Sequence, residues 1–271
     1  MLHPLAPAGM AAFSVHPSTV IGVAGLAALY AWRARAERPA TGRRPTPMQR
    51  TSFAAGLATM FLALNGPLHD LSDDYLFSAH MVQHLVLVFA VAPLLVIGTP
   101  GWMLRPALRV PAIGAVARWL TRPGVCFVIF NVAIAAWHLP PLYNLAMAHH
   151  PVHIAEHLLF LATGVLMWWP LLSPMPELPR LPYPGQMLYC FLMSLPMSIV
   201  AIYIAMADHI LYPAYEAAPR IWGLLPLEDQ MIGGLIMWIP GGLFLYGVMT
   251  IVFFKWAARG EDTREAAQVR A

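Results

Sequence analysis

The chain has 271 residues, of which 59% are hydrophobic and only 11% charged, where a soluble domain carries roughly 25% charged residues. That composition excludes a water-soluble protein and gives no footing for nucleic-acid binding; no polar stretch is long enough for a second, soluble domain. The formal net charge of +3 says less than where the charge lies, and the two cysteines, Cys126 and Cys190, share no short motif, so neither a disulfide framework nor a CxxC site is expected.

In chain order, the first apolar run covers about 17–32 and has no Lys or Arg before it. A secretory signal has its positive charge first. Here it comes afterwards, in the linker 33–50, so the run is expected to be an uncleaved first span with its N-terminus outside. Six further spans are expected at about 51–68, 76–98, 123–138, 152–172, 186–207 and 229–254. Runs of about 16–26 residues suit a hydrocarbon core of ~30 Å at ~1.5 Å per residue. The acidic connector after the second span holds His69, Asp70, Asp73 and Asp74; the loop after the third holds Arg105, Arg109, Arg118 and Arg122, and its apolar stretch reads as interfacial. Pro93 and Pro196 lie inside spans and predict kinks, which membrane bundles tolerate. Gly233, Gly234, Gly241 and Gly242 in the last span predict close helix approach.

With the 33–50 linker inside, fifteen of the sixteen Lys and Arg fall on the same side and only Arg220 falls opposite. The positive-inside rule then predicts a single-domain, all-α integral membrane protein: a seven-transmembrane-helix bundle, N-terminus outside, C-terminus cytoplasmic. All eleven histidines lie in the N-terminal segment, the outer connectors or the outer ends of spans.

The third span opens with His80 and His84 and the fifth with His153 and His157, each pair four residues apart. Residues at that spacing share one helix face, and ionisable groups inside membrane helices are costly and usually functional. Two such pairs at matched depth predict a shared multi-imidazole site, and imidazole suits copper, zinc, iron and nickel. His138 ends the fourth span at the same level, and Asp229 begins the seventh; each is a candidate auxiliary ligand, with helix capping the competing role. Glu156 is expected to orient an imidazole rather than to bind metal. His3, His16, His149, His150 and His209 read as ordinary loop residues, and Asp70, Asp73 and Asp74 as a solvated loop. Met81, Met197, Met206 and Met231 are soft enough for Cu(I), with packing the default. Two alternatives stay open: haem held by two histidines from different helices, and a zinc peptidase, because His153, Glu156 and His157 match H-x-x-E-H.

SAHMVQHLVL, APLLVIGTP, WHLPPLYNLAM, HIAEHLLFLATGVLMWWPLL, LYPAYEAAPR and DQMIGGLIMWIPGG occur in that order across residues 50–255. In these segments the chain resembles the CtaG family of cytochrome c oxidase assembly factors. The resemblance implies a multi-pass protein of the bacterial plasma membrane that is not an enzyme. It implies a role in maturing a haem–copper oxidase, with an oxidase subunit as partner, copper as cargo and a periplasmic copper donor. The family motif falls on His80, His84, His138, His153, His157 and Asp229.

Overall fold

The computed structural model describes residues 13–41 and 43–268, with backbone only for 37–41 and 260–268. His3 and Arg270 lie outside the described residues. Every regular element among the described residues is helical. Four helices are long and apolar enough to cross a membrane: Phe77–Gly98, His150–Leu172, Tyr183–Ala205 and Pro226–Arg259. Two bent pairs raise the number to six: Pro47–Ala63 with Gly66–Asp74, bent by 44°, and Pro111–Leu120 with Pro123–His138, bent by 73°. The expected first span is helical, inside α1 (Pro17–Thr41), but is not among them. Any longer stretch takes in Arg33 and the polar start Pro17, Ser18 and Thr19, which lowers its mean hydropathy.

Local chemistry starts and stops these helices. α2 (Pro47–Ala63) begins at a capping box: the Gln49 N–H donates to the Thr46 hydroxyl and the Thr46 N–H to the Gln49 side chain, with Pro47 in the first turn. It breaks at Asn65 and Gly66, where Gly66 has φ +66° and α3 (Gly66–Asp74) sets off in a new direction. The Asn65 amide donates to Phe61 O, and its oxygen accepts from the His16 N–H at 2.7 Å, tying the start of α1 to the break. The expected second span, taken as straight to Leu68, is therefore a bent one.

The third span is α4 (Phe77–Val86), a π-helical turn at Leu87–Val91, and α5 (Ala92–Gly98). Leu76 precedes α4 and has no side-chain oxygen to cap it. Asp229 supplies the cap from the start of α13 (Pro226–Gln268): its carboxylate accepts from the Phe77 N–H at 2.6 Å, from the Ser78 N–H at 3.2 Å and from the Ser78 hydroxyl. A carboxylate there also meets the positive end of the helix dipole. Pro93 offers no N–H and would clash with the carbonyl four residues back. The π turn just before it absorbs that mismatch without breaking the span. The Val88 carbonyl in this turn accepts from the Trp168 indole at 2.7 Å.

After α6 (Gly101–Leu108), α7 (Pro111–Leu120) leaves Ile113, Val116 and Trp119 about half exposed, the pattern expected of an interfacial helix. α8 (Pro123–His138), α9 (Pro140–Ala148), α10 (His150–Leu172), α11 (Tyr183–Ala205) and the short α12 (Pro213–Ala217) complete the order. The Phe77–Gly98 span is 67% buried and α10 56%, against 39% for α11 and 28% for the last span. The two helices that carry the histidine pairs are thus the inner ones. Helices approach closely where glycine permits: a Cβ on Gly98 would stand 2.5 Å from the Phe53 nitrogen, and one on Gly234 2.7 Å from the Ala205 nitrogen.

Gly98→Ala and Gly234→Ala are each expected to destabilise the bundle by about 1–3 kcal/mol, since backbone atoms rather than flexible side chains must give way. Asp229→Ala, which strips the cap from α4, is expected to cost a similar ~1–3 kcal/mol. Unfolding of detergent-solubilised protein, followed by helical circular dichroism, measures all three.

Candidate metal centre

α10 packs along the π turn and α5, which brings the first turns of α4 and α10 to the same level. The four-residue spacing then points both histidine pairs at one place. Ring centroids lie 4.1 Å apart for His80 and His84 and 4.4 Å for His153 and His157. Across the helices, His80 stacks on His153 at 5.4 Å and 13°, and His84 meets His157 edge-on at 5.5 Å. One ring nitrogen each from His80, His84 and His157 all lie within 4.8 Å of one another. A second group overlaps the first: Asp73, His80 and His153 meet the same limit. Three donors on a tetrahedral ion at ~2.1 Å stand about 3.4 Å apart, a spacing of the same order.

The site is buried and under-partnered. His80 is fully buried and the other three rings are no more than 9% exposed. Among the described residues, five ring nitrogens of these histidines and both carboxylate oxygens of Glu156 are buried without a hydrogen-bond partner. A buried polar atom left unpaired costs about 1–3 kcal/mol, so so many in one place fit a cation better than they fit a hydrophobic core. This is the feature of the structure that matches an imidazole-bound metal.

The surroundings fix the ring of His80. Tyr215 donates its hydroxyl proton to the Ser72 carbonyl at 2.7 Å, so its oxygen accepts from His80 Nδ1 at 3.2 Å and interacts with the Tyr143 hydroxyl at 2.9 Å. His80 therefore carries its proton on Nδ1, and its lone pair sits on Nε2, one of the unpartnered atoms. An imidazole whose second nitrogen is held by a fixed acceptor is the arrangement that orients a metal ligand. His138 is set the same way: its Nδ1–H donates to Ile134 O at 2.7 Å, and its ring lies 6.0 Å from His84. Gln83, one residue before His84, donates to the Ala63 carbonyl at 2.8 Å and to His69 Nδ1 at 2.9 Å, pinning α4 to the α2–α3 corner.

The other candidates are distributed as follows. Asp229 caps α4, as described, and its oxygens are taken up there rather than among the rings. His69 is buried beside the site, 6.2 Å from His157 by ring centroid, with His16 edge-on to it at 4.2 Å. Asp70 accepts a hydrogen bond from Ser14. Asp208 and His209 are exposed and pair with each other at 2.8 Å; that hydrogen bond holds the Asp208 carboxyl below the usual carboxylate range. His149 and His150 are exposed. Cys126 and Cys190 are buried, unpaired and outside both ligand groups. Met81 and Met197 lie in the core, while Met206 and Met231 are exposed.

Sequence reasoning missed three participants. Asp73, read as a solvated loop residue, stands 3.5 Å from His153 Nδ1 and 3.4 Å from His69 Nε2. His69 and Asp73 repeat the four-residue spacing of the other pairs, and that signal was available. Tyr215 and Tyr143 come from distant segments, and nothing local marks them. The H-x-x-E-H histidines lie side by side, 4.4 Å apart by ring centroid, with Glu156 buried between them in sequence.

An apolar groove of about 820 Å³ separates α1 from α10, and His69, His153 and His157 line one end of it. It opens the histidine cluster sideways, between helices, rather than only toward the loops.

A model of the family described as cytochrome c oxidase caa3 assembly factor (Caa3_CtaG) matches residues 26–259. Similar curated proteins occur in mycobacteria. Uncharacterized proteins of Mycobacterium bovis and Mycobacterium tuberculosis are each 26% identical over 209 residues, and one of Mycobacterium leprae is 25% identical. The match covers 71% of this chain but 31% of each relative, so the chain spans about a third of their length. No solved structure matches. The family model covers most of the chain and its helices are of membrane-spanning length and composition: the chain belongs to the family of cytochrome c oxidase caa3 assembly factors, as a multi-pass membrane protein.

Proposed function

We propose that this protein binds copper in the cluster of His80, His84, His153 and His157, through the nitrogens of His80, His84 and His157, and delivers it to a haem–copper oxidase. The observation that carries the reading is the set of buried, unpartnered imidazole nitrogens shared by α4 and α10. Copper stands highest among divalent first-row metals in affinity for a nitrogen site of this kind, with zinc below it. Copper is cargo here. The protein makes and breaks no covalent bond in a substrate, and His80, His84 and His157 hold the ion through neutral imidazoles while His138 stands by as an auxiliary group. Asp229 serves the site by fixing the start of α4.

The setting follows from the charge pattern. In this reading the chain is one domain of seven spans in a bacterial plasma membrane, with α1 as a short seventh span. Its N-terminus is outside and its C-terminus cytoplasmic. The histidines then lie just beneath the outer face. A copper donor loads the site from the periplasm, and an oxidase subunit receives the ion at a helix–helix interface inside the bilayer. The groove between α1 and α10 offers such a lateral path.

Metal analysis of detergent-purified protein tests the site. Wild type is expected to retain about one copper per chain, and His80→Ala/His157→Ala to lose binding by at least about tenfold. Equal copper in wild type and the double variant would sink the reading. Orientation has its own measurement: a single cysteine introduced at Asp74 should react with an impermeant maleimide in intact cells, and one at Arg118 only after lysis. Cys126 and Cys190 are buried and give little background.

A further inference from the structure

Asp73 has no role in the reading above, yet its carboxylate is the nearest acidic group to the imidazoles. Its Oδ2 lies 3.5 Å from His153 Nδ1 and 3.4 Å from His69 Nε2. Both separations exceed the usual 2.7–3.2 Å range of an N–H···O hydrogen bond. The His153 separation is close to the edge of a tetrahedral coordination shell, about 3.4 Å for ligands at ~2.1 Å. Asp73 and one ring nitrogen each of His80 and His153 also lie within 4.8 Å of one another. The unpartnered Nε2 of the fully buried His80 completes this group. Asp73 itself is about a quarter exposed, where all four core rings are buried, so its group stands between the inner imidazoles and the aqueous edge.

His80 belongs to both groups and has one lone pair to offer, because its Nδ1 proton is held by Tyr215. The two groups therefore cannot each hold an ion through His80 at once. Resting on the copper-binding reading, we propose that Asp73, His80 and His153 form an outer station for the ion, and that the ion passes to His80, His84 and His157 by exchanging ligands around His80. The ion gives up one carboxylate and one imidazole and gains two imidazoles. No electron moves, and every ring keeps one N–H throughout. The direction follows from the donors. An oxygen-containing outer set accepts a hydrated Cu(II) readily, while an all-imidazole set in a buried pocket holds copper more tightly.

Loading of the full-length, detergent-purified protein with Cu(II) tests this, using rapid mixing for the rate and electron paramagnetic resonance for the donor set. Wild type is expected to take up about one Cu(II) with nitrogen-rich coordination. Asp73→Asn is expected to load about tenfold more slowly to the same final stoichiometry. Asp74→Asn removes the same charge at an exposed neighbour and should stay within about twofold of wild type. His84→Ala should keep its one Cu(II) but show mixed oxygen and nitrogen donors. His153→Gln, which keeps the helix and removes the outer imidazole, should load as slowly as Asp73→Asn. The relay is overturned if Asp73→Asn and His153→Gln load at the wild-type rate, if Asp74→Asn slows loading as much as Asp73→Asn, or if wild type binds two Cu(II). A wild type that binds none removes the copper-binding reading itself and the relay with it.

Discussion

Imidazole nitrogens buried without partners set the terms for the rest of this bundle. In a soluble protein water would reach them; between inner membrane helices it does not, and each unpaired atom carries its full desolvation cost. The rings of His80, His84, His153 and His157, with neighbours at 4.1–6.2 Å, are held in that state by the approach of the two inner spans. Such an arrangement is stable enough to persist only when the surrounding helices over-determine it. A cation would relieve that cost by accepting the lone pairs, and this is what the proposed copper site rests on.

The over-determination is visible in the supporting contacts. Asp229 on the last long helix caps α4 and so fixes the height of His80. Tyr215 fixes which of its nitrogens is free. Gln83 ties the next turn to the α2–α3 corner, and the Trp168 indole satisfies the carbonyl at the π turn, which lets α4 continue into α5 despite Pro93. These partners come from four separate parts of the chain. Each uses a hydrogen bond in a low-dielectric setting, where such bonds are strong and misplacement is costly. The result is a first turn of α4 held from several sides, with more exposed elements around the inner helices.

Depth is the other constraint. A site buried beneath one face of a bilayer is poorly reached by a soluble partner, and a lateral groove suits a partner that is itself in the membrane. Membership of an oxidase assembly family agrees with a partner of that kind. The exposed apolar faces of α10 and α11, with Leu158 and Ile199 more than 60% exposed, are what lipid or another helix would cover.

Composition, the positive-inside bias and the four-residue spacing were enough, from the chain alone, to read an all-helical membrane protein and to choose His80, His84, His153 and His157. Those signals are local or additive, and helix periodicity converts them directly into faces. The sequence resemblance also named the family that the comparison then showed. Three things belonged to the tertiary structure. Asp229 reaches across to cap α4, a contact between residues some 150 apart in the chain. Asp73 turns from the aqueous loop toward His153 because α3 is bent away from α2. Tyr215 selects the tautomer of His80 from a helix of five residues that no periodicity would single out. Each depends on how separate helices are placed against one another, and spacing along one helix carries no information about that placement.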